Sequence, residues 1–155
     1  MRAALAALLI ALSLGPVLAA AEPSAPAIEP RRQPVPGPGA DTEYDRGVRA
    51  RVAKDWKTAE AAFRRAIALR PDFADAWNEL GFALRNQGRY QESLVAYDEA
   101  LKLRPNFPEA LEYLGEAYVK MGRVDDARRV LDRLRPLDPG RAQELAEVIA
   151  TGNAR

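Results

Sequence analysis

The sequence predicts an all-α protein, a run of helical hairpins laid one against the next. Two observations carry that expectation. Gly47, Gly81 and Gly115 stand 34 residues apart, and Pro71, Pro105 and Pro139 keep the same step. Between these marks Trp77, Leu80, Gly81 and Leu84 fall at i, i+3, i+4 and i+7, which is one stripe of a helix. A fixed period of this length is the mark of a repeat architecture, in which each unit buries its apolar face against the next.

Composition narrows the chemistry such a chain can perform. Of 155 residues 48% are hydrophobic, enough for a sizeable core. Lys and Arg number 23 against 22 Asp and Glu, so no long-range field draws the chain to nucleic acid or anionic lipid. There is neither cysteine nor histidine. That removes thiol nucleophiles, disulfides, most transition-metal sites and the usual general base near neutral pH. We therefore expect no catalytic residue, no cofactor and no metal site.

Residues 1–21 have the layout of a secretory signal peptide. Arg2 precedes an apolar run from Ala3 to Leu14, Gly15-Pro16 breaks it, and Ala19-x-Ala21 supplies the small pair that signal peptidase needs. The run is short for the ~20 residues of a spanning helix. No cysteine follows to carry a lipid anchor. Cleavage after Ala21 would deliver a secreted or periplasmic protein with no stable membrane insertion, and the alanine-rich leader has a bacterial look. Residues 22–39, "EPSAPAIEPRRQPVPGPG", hold too little apolar surface to fold and read as a proline-rich spacer.

Three hairpins should follow, over residues 40–73, 74–107 and 108–141, closed by a helix at 142–150. The 34-residue step recurs at Phe63, Tyr97 and Leu131, at Ala59, Ser93 and Ala127, and at Ala66, Ala100 and Leu134. Gly47, Gly81 and Gly115 interrupt apolar stripes, which is tolerable if the missing side chain admits the partner helix. Gly88 and Gly122 sit where a helix closes in a left-handed residue. Lys54 holds that place in the first hairpin, so a looser turn is expected there. Pro71, Pro105 and Pro139 should end the second helices, and Asp72 and Asn106 are candidates to cap the helices that follow. Ala142, Leu145, Ala146 and Ile149 form one apolar face of the closing helix, with Thr151 onward fraying.

These residues resemble the tetratricopeptide repeat family. Trp77-x-x-Leu80-Gly81-x-x-Leu84, Ser93-x-x-x-Tyr97 and Pro105 are similar to its pattern, with leucine where tyrosine is usual. Leu111-x-x-Leu114-Gly115-x-x-Tyr118, Ala127-x-x-x-Leu131 and Pro139 follow it nearly as well. The first copy departs, since Glu43 and Arg46 replace bulky apolar residues, as suits an outer side with no neighbour. The resemblance covers roughly residues 40–141. It implies an α-solenoid of three helix-turn-helix repeats plus a C-terminal capping helix, whose first helices line a concave groove for a protein or peptide.

By spacing, the groove residues are Tyr44, Val48 and Arg51, then Asn78, Phe82 and Arg85, then Glu112 and Glu116 with Val119 and Lys120. Asp41, Asp75 and Glu109 open the three helices, while Arg51, Arg85 and Lys120 close them, an arrangement that the helix dipole favours. The middle pairs change from Tyr44 and Val48, through Asn78 and Phe82, to Glu112 and Glu116. Such a groove would suit a partner with an apolar anchor beside Lys or Arg, although solvated glutamates are the plainer reading of the last pair. A clamp for a C-terminal carboxylate, which some members of the family carry, would meet acids here and is expected to be absent. An acid–base pair among Glu109, Glu112 and Glu116 lacks a pocket to raise either pKa, so no enzyme is expected. The expected function is a non-catalytic scaffold or assembly factor in the periplasm; a homo-oligomer built by repeat stacking is the alternative.

Overall fold

The computed structural model describes residues 39–152, and these hold seven helices and no strand. The helices are α1 (Ala40–Val52), α2 (Trp56–Leu69), α3 (Ala74–Asn86), α4 (Tyr90–Leu103), α5 (Pro108–Lys120), α6 (Val124–Leu134) and α7 (Pro139–Thr151). The expected leader, its cleavage site and all of the proline-rich spacer except Gly39 lie outside the described residues. Among those described, no helix is long and apolar enough to cross a membrane.

Helices α1, α3 and α5 each form an antiparallel hairpin with the helix that follows, each hairpin packs on the next, and α7 closes against α5 and α6. The apolar stripes close the core. Phe63, Tyr97 and Leu111 are fully buried, and Leu80, Leu84, Leu114 and Leu131 are nearly so. The stripe glycines are required by close approach. A Cβ at Gly47 would lie 2.5 Å from the Phe63 ring, and one at Gly81 would lie 2.6 Å from the Tyr97 ring. At Gly115 the intruder is Leu145 of α7, at 2.5 Å, rather than the period mate Leu131. Leucine is shorter than phenylalanine or tyrosine, and the closing helix supplies the side chain that takes the ring's place.

The turns within hairpins are alike, which corrects the expectation of a looser first one. Gly88 and Gly122 have φ of 76° and 72°, and Lys54 adopts the same left-handed state at 57°. In all three, the residue's N–H bonds the carbonyl three residues back and the next N–H the carbonyl five back. For Lys54 these bonds are Lys54 N to Arg51 O and Asp55 N to Ala50 O, both 2.9 Å. The Asp55 carboxylate then caps α2 by accepting from Thr58 N at 3.1 Å. Hydrogen bonds thus outweigh the ~1–2 kcal/mol cost of a left-handed side-chain residue.

Three further expectations change. Asp72 and Asn106 do not cap. The N-cap positions of α3 and α5 are Phe73 and Phe107, neither with a side-chain hydrogen bond. Pro139 does not end α6. Arg135 keeps helical φ and ψ and still bonds the Leu131 carbonyl, but Pro136 has no N–H to carry the ladder on, so α6 stops at Leu134. Pro139 is instead the first residue of α7, where its missing N–H costs nothing, and Asp138 caps that helix through Arg141 N at 3.0 Å. The closing helix therefore starts before 142 and keeps Thr151. Finally, Glu43 is not on an open outer side. It is 4% exposed, 3.1 Å from Arg46 and 4.0 Å from Arg65.

Candidate functional site

The first helices α1, α3 and α5 pack in a row, and α7 takes the next place beside α5. Three ion pairs join this row across the repeats. Arg51 of α1 stands 3.1 Å from Glu79 of α3, Arg85 of α3 donates to Glu116 of α5, and Arg141 of α7 donates to Glu112 of α5. The middle pair is the driest, with side-chain exposures of 5% and 6%. A charge in that setting persists only with its counter-charge beside it. The Arg51–Glu79 pair is less well aligned, since neither Arg51 Nε nor the facing Glu79 oxygen makes a hydrogen bond. Burial accordingly pushes the Glu79 carboxyl up to about 7, against the pull of Arg51 and with help from Glu109 and Asp75. Burial also raises Glu112, partly offset by Arg141.

Aromatic rings run through the same face. Phe82 and Trp56 pack edge-to-face with ring centres 5.8 Å apart, and the Tyr113 ring lies 5.0 Å from Phe82. The Arg85 guanidinium lies 5.1 Å from both Phe82 and Tyr113, and that of Arg51 lies 5.7 Å from Phe82. Beside these rings is a hollow of ≈ 280 Å³ lined by Phe82, Arg85 and Asn86 of α3, Glu112, Tyr113 and Glu116 of α5, and Arg141 and Glu144 of α7. The Tyr113 hydroxyl donates to Glu109 Oε1 at 3.1 Å, and burial with those carboxylates pushes its pKa up.

The expected groove residues divide. Phe82, Arg85, Glu112 and Glu116 meet at this hollow. Arg51 reaches Phe82 from α1. Tyr44 instead packs on Phe63 at 5.7 Å and Phe73 at 4.8 Å, and burial, with Glu79, Asp75 and Glu109 nearby, raises its hydroxyl to about 12. Val48 joins the same cluster, Asn78 is 1% exposed, Val119 is buried and Lys120 is exposed. Glu112 and Glu116 are not solvated. They are 5% and 4% exposed and each is held by an arginine. The acidic end is thereby neutralised from within.

The charges at the helix starts likewise have partners beyond the dipole. Asp41 takes a hydrogen bond from Arg70, and Asp75 takes two from Arg104, at 3.0 and 2.7 Å. The same arginines lie over Phe73 at 4.4 Å and Phe107 at 4.3 Å. Their signal was available, because Arg70 and Arg104 obey the 34-residue step just ahead of Pro71 and Pro105. Glu79 and Tyr113 also keep that step, yet they lie one position beyond the chosen groove stripe. Trp56 keeps it too, with Tyr90 one step on at the start of α4, but it stands on a second helix outside that stripe; Asn86 and Arg141 carry no comparable mark.

Two models of the tetratricopeptide repeat family match the chain, over residues 44–94 and 84–150. The chain belongs to the tetratricopeptide repeat family. Its fold, that of a protein–protein interaction module, recurs in solved structures of low identity. The TPR2B domain of yeast Sti1, in complex with pHsp70, is 21% identical at a TM-score of 0.69, over 73% of this chain and 94% of that one. The Arabidopsis OM64 TPR domain is 17% identical at 0.70, over 74% and 97%. A chain of the CopN–Scc3 complex is 23% identical at 0.63, over 70% and 68%. No curated protein matches in sequence. The α-solenoid of three repeats with a closing helix is thus the architecture that the 34-residue step announced.

Proposed function

We propose that this tetratricopeptide chain is a non-catalytic module that binds a protein or peptide on the face of its first helices. The observation that carries the reading is the hollow over Phe82 and Tyr113, where two half-buried rings stand together on a braced surface. An apolar side chain of the partner fills it, since the rings offer area already fixed in place, with little ordering cost on binding. A Lys or Arg beside that anchor would reach Glu116 or Glu112 only in competition with Arg85 or Arg141. The apolar anchor therefore carries the affinity, and the cationic neighbour refines it. A free C-terminal carboxylate is not the expected ligand.

The leader-like sequence of residues 1–21 supports a role outside the cytoplasm, as a periplasmic scaffold or assembly factor. Homo-oligomerisation by stacking is disfavoured at the closing end, where Gln143, Glu144 and Glu147 of α7 face outward. The test is a differential capture from the exported fraction, with Phe82→Ala beside wild type and melting curves to verify folding. Loss of a prey from the variant alone supports the reading. Equal recovery of every prey by both proteins sinks it, and a mass that grows with concentration in light scattering would favour stacking.

A further inference from the structure

The two tryptophans of the chain serve different ends. Trp77 is tied down: its indole Nε1–H donates to the Pro71 carbonyl at 2.9 Å, fixing α3 to the loop before it. Trp56, the first residue of α2, is half-buried and packs edge-to-face with Phe82. Its indole N–H has no acceptor among the described residues. Packed tryptophans usually find a partner for that group. A donor left open on a half-exposed ring is available to a ligand.

Trp56, Phe82 and Tyr113 form a row with centre-to-centre steps of 5.8 and 5.0 Å, and none of the three rings is fully buried. End to end the steps span at most about 11 Å, on the scale of the ~9 Å that one turn of a polyproline II helix covers. Such a helix has no internal hydrogen bonds, so its carbonyls stay free to accept. Its proline rings lie flat on aromatic surfaces, and its stiffness lowers the ordering cost of docking. The charges beside Trp56 narrow the partner further. Lys54 and Lys57 are exposed and form no ion pair among the described residues. Asp55 between them accepts the Thr58 N–H and offsets part of the charge of Lys57, leaving the pair with a net positive charge.

We infer that the row Trp56–Phe82–Tyr113 docks an extended proline-rich segment of a partner protein, with an acidic residue of that segment near Lys54 and Lys57. Trp56 Nε1–H donates to one backbone carbonyl of the segment. This rests on the proposed reading of the face as a peptide-binding surface, and it adds Trp56 and the conformation of the ligand.

The experiment is calorimetric titration of the full chain with three capped peptides. One repeats Pro-Pro-Glu over eight residues, the second has alanine for every proline, and the third has lysine for every glutamate. The first should bind, and the other two should bind at least about tenfold more weakly. Trp56→Phe keeps the ring and removes the donor, so it should weaken the first peptide about fivefold at an unchanged melting temperature. Equal binding of the alanine peptide, or of the first peptide to Trp56→Phe, overturns the inference. If Phe82→Ala then abolishes binding of the alanine peptide, the face remains a peptide site and only the proline assignment falls. Binding by none of the three also removes that assignment, leaving the proposed function to the differential capture.

Discussion

Arg85 of α3 and Glu116 of α5 form an ion pair that is nearly sealed from solvent, 31 residues apart in sequence and in adjacent repeats. The guanidinium also lies against the rings of Phe82 and Tyr113, so one side chain joins two helices and two aromatics. Removing one partner leaves a buried charge without compensation, whereas removing both need not. Arg85→Met should therefore cost about 3–5 kcal/mol in urea denaturation. Arg85→Met combined with Glu116→Leu should recover most of that loss. A double variant as unstable as the single one would show that the pair is not the source of the effect.

Glu79 gives the wild type a pH dependence of definite sign. Its folded pKa of about 7 lies above the ordinary glutamate value of 4.5, so the native state holds the proton more tightly than the unfolded chain. The stability this contributes is complete below pH 4.5 and is lost as the pH rises through about 7. Glu79→Gln cannot ionise. It should exceed wild type by about 2–3 kcal/mol near pH 8 and match it near pH 4. Parallel denaturation midpoints for the two proteins across that range would refute the assignment.

Lys54 occupies a left-handed turn position that its counterparts in the next two repeats give to glycine. Lys54→Gly relieves the strain but adds freedom to the unfolded chain. The balance should favour the variant by about 0.5–1 kcal/mol, seen as a rise of a few degrees in melting temperature. A fall would mean that the lysine stem contributes packing there.

Gly81 and Gly115 separate a rigid neighbour from a yielding one. An alanine methyl at Gly81 strikes the Tyr97 ring, which is fully buried and cannot turn aside. Gly81→Ala should cost about 2–3 kcal/mol through overpacking. At Gly115 the obstacle is Leu145, also fully buried but a flexible side chain on the last helix rather than a rigid ring, so Gly115→Ala should cost about 1 kcal/mol less. Thermal melts of the two variants side by side decide it, and equal losses would count against the distinction.

The amino-acid sequence by itself determined the repeat. Gly47 and Gly81 meet Phe63 and Tyr97, one 16 residues after each, because the 34-residue step restates the same local hairpin. Hairpin formation depends on short-range spacing, glycine and proline, all of which a linear reading sees. The tertiary structure alone decided which charges are spent. Glu112 and Glu116 look open on a helical wheel, yet neighbouring helices bring Arg141 and Arg85 against them. Those separations are 29 and 31 residues and obey no common step. They follow from how far each hairpin is rotated on the last, and that rotation is set by the sum of core contacts rather than by any local pattern. The same rotation brings Trp56, at the start of a second helix, beside Phe82 and so extends the face beyond the first helices.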